Sequence, residues 1–207
     1  MRRFMCEIRD PAEITRLLNT TRIGHCATVD SLGYPYITPV NFVFLQGRVY
    51  FHSSPEGEKI ENIRRTPRVG FEASIPLAYL DVSFNPDNNP CRAHQLYQSI
   101  IIRGSARIIS EKKLKTQVLN ALLAKHEKDS CFPEVSPRSP GFRNCVVIEI
   151  TPETITGKSD LGQSHPQKAY RAHIVRRLSE RALPEDLLTL EEMKNRNPGS
   201  SNTDLSD

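Results

Sequence analysis

Apolar and polar residues change their period several times along the chain, and each change marks an element. Asp10-Pro11-Ala12-Glu13 has the features of a helix start. Asp10 can accept from the backbone, Pro11 suits the first helical position, and Glu13 completes a capping box. Ile14, Leu17 and Leu18 then recur at helical spacing, and Asn19-Thr20-Thr21 ends the stripe. From Ile23 the period drops to two. Ile23 to Val29, Tyr34 to Leu45 and Arg48 to His52 read as strands joined by Ser31-Leu32-Gly33 and Gln46-Gly47. This is an antiparallel meander, with Tyr36, Thr38, Val40 and Phe42 on one face of its long strand. Pro35 and Pro39 cannot donate to a ladder, so that strand has an edge, a bulge or a ligand beside it.

A short helix from Glu58 to Arg65 follows the loop Ser53-Ser54-Pro55-Glu56-Gly57, and Pro67 stops it. Arg68 to Ala73 and Ala78 to Phe84 read as two strands, Asn85 to Ala93 as a loop, and Leu96 to Ile109 as a long strand with a bulge at Gly104. Ser110 can cap a helix from Glu111 to His126, whose buried side carries Leu114, Val118, Leu119, Leu122 and Leu123. Asp129 to Arg143 is a proline-rich loop, and Cys145 to Ile155 is a final strand. From Gly157 the composition shifts. A basic helix is expected from Gln167 to Ala182, packed by Ile174, Val175 and Leu178; past Pro184 the chain turns acidic, then Asn/Ser-rich, and reads as a disordered tail. Residues 1–157 thus form one domain, and 158–207 a helix and tail. Antiparallel strands with two inserted helices do not alternate as βαβ units; a mainly β fold, a small antiparallel barrel with peripheral helices, is expected.

Composition narrows the function classes. A chain of 207 residues can bury one core without staples. No apolar run approaches the ~20 residues of a membrane helix. Met1 to Asp10 lacks the apolar stretch of a secretory signal, so a cytoplasmic address is expected. The formal charge of +4 suits an anionic small ligand. Much of that excess is local to Lys168–Arg181, where Tyr170 is the lone aromatic, so neither nucleic acid nor a membrane surface is expected as a partner. The 5 cysteines are odd in number, widely spaced and without C-x-x-C, which points to reduced, mostly buried thiols and to no metal site.

The stretch richest in chemistry is Phe51 to Lys59. A strand delivers Phe51-His52-Ser53 to a loop, and the loop leads into a helix at Gly57-Glu58-Lys59. Free backbone N–H groups and the positive dipole end of a helix attract phosphate; the Ser53 and Ser54 hydroxyls can donate, and Lys59 adds a full charge. A plain solvated connector would use the same residue types. His25 and Cys26 are adjacent on a strand and face opposite ways, so they are not a nucleophile with its base, and a buried structural role is expected for them. Tyr34, Tyr36, Tyr50 and Phe51 suit either a core or stacking on a ring system. Glu56, Glu58 and Glu61 read as a solvated face.

Gly33-Tyr34-Pro35-Tyr36-Ile37-Thr38-Pro39-Val40-Asn41-Phe42, Val49-Tyr50-Phe51-His52-Ser53, Glu56-Gly57-Glu58-Lys59-Ile60-Glu61-Asn62-Ile63, Pro67-Arg68-Val69, Tyr97 to Gly104 and Ile155-Thr156-Gly157-Lys158 form a series in fixed order. The series resembles the FMN-binding split-barrel family, the pyridoxamine 5'-phosphate oxidase-like proteins, and within it most nearly the nitroimidazole-resistance-type flavoproteins. The resemblance implies a six-stranded antiparallel split β-barrel and a homodimer with FMN at its interface. It places Tyr36, Ile37, Thr38, Pro39, Val40 and Asn41 along the flavin and its ribityl phosphate, with Phe51, His52 and Ser53 at the end of the return strand. Lys59 would pair with the phosphate, and Gln98 or Ser99 would reach the cofactor from the next long strand. His52 would either give a proton to a substrate or hydrogen-bond the flavin. The implied activity is an FMN-dependent reduction of a small acceptor such as a nitroaromatic, with a transient nicotinamide donor. The alternative is a non-catalytic flavin- or haem-binding module of the same fold. Two departures stand out. Glu58 occupies a position that is basic in many relatives, and the chain, with 0 Trp, lacks the C-terminal arginine- and tryptophan-containing signature of pyridoxamine phosphate oxidases proper.

Overall fold

A computed structural model describes residues 4–85, 87–128, 131–163 and 168–196. In chain order the strands are β1 (Glu7–Ile8), β2 (Ile23–Val29), β3 (Pro35–Leu45), β4 (Arg48–Ser53), β5 (Arg68–Leu80), β6 (His94–Ile108) and β7 (Val146–Asp160). The helices are α1 (Pro11–Thr20), α2 (Glu58–Arg65), α3 (Lys112–His126), α4 (Lys168–Arg181) and α5 (Pro184–Arg196). The sheet order is β1-β7-β4-β3-β2-β5-β6, and a further pairing of β7 with β6 closes six strands into a ring. The expected mainly β, six-stranded antiparallel split barrel with peripheral helices is the fold observed.

The chain forms two compact units. One takes Arg9–Ser74 and Ser99–Gly157; the other takes Met1–Ile8, Ile75–Gln98 and Lys158–Asp207. In the first unit, the meander pairs as its alternation requires: Cys26 faces Thr38 across β2 and β3, and Phe42 faces Phe51 across β3 and β4. Cys26, Phe42, Phe51 and Phe71 are fully buried, and the Phe42 and Phe71 rings meet edge to face at 4.9 Å. Asp10 caps α1 by accepting from the Ala12 N–H at 2.9 Å, while among the described residues Glu13 makes no return bond. A second apolar cluster joins Val43, Tyr50 and Val147 to Val118 and Leu122 of α3. The α3 cap is Glu111 rather than Ser110, whose hydroxyl instead donates to the Glu111 carboxylate.

Gly104 does not interrupt β6, which runs on through it to Ile108. Its role is close approach, because a Cβ there would stand 2.2 Å from the Thr151 carbonyl oxygen of β7. Gly104→Ala therefore forces apart the two strands that close the ring. We expect a loss of about 2 kcal/mol in unfolding free energy, read as a lower urea midpoint at unchanged slope. An unmoved midpoint would show that the closing pair separates at no cost.

In the second unit, Leu77, Ala78, Leu80, Phe84 and Leu96 pack with Ile174 and Leu178 of α4 and Met193 of α5. Three expectations are corrected around it. Arg68 to Leu80 is one strand through Pro76, which costs one ladder hydrogen bond without ending the strand; Val82–Phe84 is a 3-10 turn capped by Asp81. β7 extends five residues beyond Ile155, to Asp160. Pro184 to Arg196, read from sequence as the start of a disordered tail, is helix α5: Thr189 accepts from the Ala78 N–H at 2.8 Å, and Asp186 pairs with Arg181 at 2.7 Å. Residues 197–207, the rest of that tail, lie outside the described residues, as does Gln167.

Candidate functional site

The strand β4 ends at Ser53, and the chain enters α2 through Gly57, whose φ of 114° suits a residue without a side chain. No side chain caps this helix; the Ile60 N–H donates to the Gly57 carbonyl at 2.9 Å, which leaves the N–H groups of Glu58 and Lys59 without a side-chain cap. α2 is fixed on β2 by a short relay. Asn62 donates to the Thr28 hydroxyl at 3.1 Å, and Arg65 donates to the Asn62 side-chain oxygen at 2.7 Å and to the Val29 carbonyl at 2.6 Å. Ile60 and Ile63 bury the inner face of the helix.

Lys59, in the first turn, is half-buried with its ammonium 5.2 Å from the centre of the Phe51 ring. Among the described residues it has no carboxylate partner. Burial pushes it below the ordinary lysine range. Cys26 itself is pushed up to about 11 by burial, against the pull of Lys59, so its thiol stays protonated at neutral pH and inert as a nucleophile. Across the ladder from Cys26 stands Thr38, whose Oγ1 is buried without a hydrogen-bond partner. A desolvated cation without an anion, an uncapped helix N-terminus and an orphaned hydroxyl next to Cys26 together suit a phosphate-bearing group.

The residues expected along a flavin divide by face. Ile37, Pro39 and Asn41 are exposed on the outer face of β3, with Ile37 at 60%, while Tyr36 and Thr38 are half-buried and Val40 is buried. His52 is exposed, and it makes no hydrogen bond within the described residues; Ser53 is half-buried. Phe51 lies wholly in the core and supports Lys59 rather than facing outward. Ser99 is half-buried in the barrel unit, whereas Gln98 belongs to the other unit, where its buried amide donates to the Ser159 hydroxyl at 3.2 Å and to Glu192 at 2.9 Å. His25 is corrected: it is exposed, paired with Glu72 at 3.0 Å, while Cys26 is buried as expected. Of the five free thiols only Cys6 and Cys26 are buried, and Cys91 and Cys131 are exposed. Tyr50 is core, and Tyr34 is exposed. Among the described residues no three His, Cys, Asp or Glu side chains gather as a metal-binding set, and no helix is long and apolar enough to cross a membrane.

Sequence reasoning missed Glu149. It is 1% exposed on β7, accepting from the Tyr50 hydroxyl at 2.8 Å, from Arg107 at 2.6 Å and from Arg48 at 3.1 Å. An acidic residue between Ile148 and Ile150 in an apolar strand was the available signal.

The fold recurs in solved structures. A candidate 5-nitroimidazole antibiotic resistance protein of Bacteroides thetaiotaomicron is 26% identical, with 73% of this chain and 85% of that one covered at a TM-score of 0.61. The flavocytochrome Anf3 of Azotobacter vinelandii is 18% identical, covering 83% and 77% at 0.64, and an FAD and heme binding protein of Mycobacterium smegmatis is 13% identical, covering 80% and 78% at 0.63. No curated protein matches the sequence. The family model for pyridoxamine 5'-phosphate oxidase matches residues 10–159, a span that contains the strands of the ring to within one residue of the end of β7, together with Lys59, Thr38 and His52. The resemblance carried by the ordered motifs therefore holds at the level of sequence and of fold: the chain belongs to the pyridoxamine 5'-phosphate oxidase family.

Proposed function

We propose that the chain is a cytoplasmic, homodimeric FMN-binding flavoprotein, an oxidoreductase that reduces a small acceptor such as a nitroaromatic. The carrying observation is Lys59, a half-buried ammonium at the uncapped start of α2 without a carboxylate partner. A buried charge without a counter-ion is costly, and a phosphate there offsets that cost. The outward residues Ile37, Pro39 and Asn41 offer a flat face for a ring system, and the dimer partner would cover its other side. When bound, FMN supplies the electron chemistry. His52, exposed on β4, would offer its imidazole to the acceptor. A nicotinamide donor would bind transiently, since no dinucleotide fingerprint is present. The likeness to the candidate 5-nitroimidazole resistance protein supports the acceptor class.

The test is a visible spectrum after mixing with FMN and desalting. The wild type should retain the flavin bands, and Lys59→Met should bind FMN about 30-fold more weakly, the equivalent of about 2 kcal/mol for a charge-assisted contact. Equal retention by both would remove the phosphate from Lys59. No flavin on the wild type overturns the reading, and flavin without turnover of any acceptor makes the chain a binding module.

A further inference from the structure

Two helix C-termini and one strand end bring four basic side chains together in the barrel unit. α1 ends at Thr20, and Arg22 follows it into β2; Lys125 and His126 close α3. Arg22 Nη2 donates to the His126 carbonyl at 2.7 Å, and Lys125 Nζ donates to the Leu18 carbonyl at 2.9 Å while lying 3.8 Å from the centre of the Phe42 ring. His126 Nε2 donates to the Phe42 carbonyl at 3.2 Å, and the charge of His52 reaches it as well.

Part of this arrangement is ordinary helix termination. Each helix C-terminus carries roughly half a negative charge, which one cation complements. The balance still does not close. Two half-charges face the two full charges of Arg22 and Lys125, with two imidazoles beside them. Among the described residues none of the four has a carboxylate partner. Burial pushes Lys125 down to about 8, and Arg22 adds to the effect; burial also lowers His126, against the hydrogen bond to the Phe42 carbonyl, with Lys125, Arg22 and His52 acting in the lowering sense. Donor capacity remains after the helix contacts. An arginine has five N–H donors, an ammonium three, and the second ring nitrogen of His126 is unused. This cluster is built on the ends of α1 and α3 and the strands beside them, whereas Lys59 stands in the first turn of α2.

We infer that Arg22, Lys125 and His126, with His52 at the margin, form a second anion-binding site that takes a small oxyanion, a carboxylate or a phosphate. Its position beside His52 would hold the anionic group of a substrate, or an acidic arm of the cofactor, next to the proposed proton donor. The site itself does not depend on the flavin reading, because it can be filled by inorganic phosphate alone.

The experiment follows the ring signals of His52 and His126 by NMR while inorganic phosphate, and separately acetate, is added to the full chain at fixed pH. The expected result is a saturable shift of both rings, about tenfold weaker or more in Arg22→Gln and in Lys125→Met and unchanged in Lys59→Met. Arg22 is exposed, so its variant keeps the test open if Lys125→Met fails to fold. The absence of a saturable shift in the wild type, or its loss in Lys59→Met, overturns the proposal. Repeating the titration with FMN present separates the two sources: a shift that persists assigns the site to a substrate group, and one that FMN abolishes assigns it to the cofactor.

Discussion

Glu149→Gln is expected to lower the unfolding free energy by about 3 kcal/mol at pH 7. Glutamine keeps the shape of the side chain, but it has one acceptor oxygen where the carboxylate has two, and its amide group points donors at donors. Arg48 and Arg107 lose their shared anion, and the Tyr50 hydroxyl loses its acceptor. Both arginines are about half exposed, at 44% and 49%, so water recovers part of the cost, which keeps the effect at the low end for a broken buried pair. The pH dependence has a definite sign. Burial acts to raise the Glu149 carboxyl, but the hydrogen bonds from Arg107, Tyr50 and Arg48 outweigh it and hold the group below the ordinary carboxylate range. A depressed carboxyl contributes stability above its unfolded range and loses it as pH falls through its folded one. The gap between wild type and variant in urea should therefore narrow on acidification. A gap that stays constant from neutral pH into the acid range would mean that Glu149 is not held as the anion.

The barrel was legible because its strands bury one face and expose the other. Alternation from Ile23 to Ser53 gave the meander and the inward set Tyr36, Thr38, Val40 and Phe42 almost to the residue, and Asp10 with Pro11 marked α1. The loop to α2 was legible for a different reason: Gly57 and Lys59 mark a helix start by residue type alone. α5 was not, because its pattern is inverted. Asp186, Thr189 and Glu192 are buried while Leu187 is 55% exposed, so the polar residues of this helix face inward and the hydrophobic signal points the wrong way. Pro184 followed by Glu185 and Asp186 did signal a helix start, and only residue-type reasoning could have used it. Gln98 shows the same limit within the site. Its place on β6 follows from the alternation, but its partners Ser159 and Glu192 are 61 and 94 residues away, beyond any local pattern. His25 was expected to be buried from its place beside Cys26, although the period of two already put the pair on opposite faces; burial belongs to Cys26 alone.

His52→Gln is expected to reduce turnover of a small nitroaromatic with a reduced nicotinamide donor by about 100-fold while FMN retention stays within about twofold. The argument is geometric. Phe51 points into the core and His52, the next residue on β4, points out, so the imidazole contributes nothing to packing. It makes no hydrogen bond within the described residues, which leaves both ring nitrogens for a ligand. Its loss should move the stability by about 0.5 kcal/mol or less, as for an exposed residue without partners. Three readouts separate the roles. A large drop in kcat with flavin bound and the thermal midpoint unchanged assigns proton donation to His52. Parallel losses of turnover and flavin make it a cofactor contact instead. An unchanged kcat removes His52 from the chemistry and leaves the outer face of β3, with Asn41 its polar member, as the place to look for the donor.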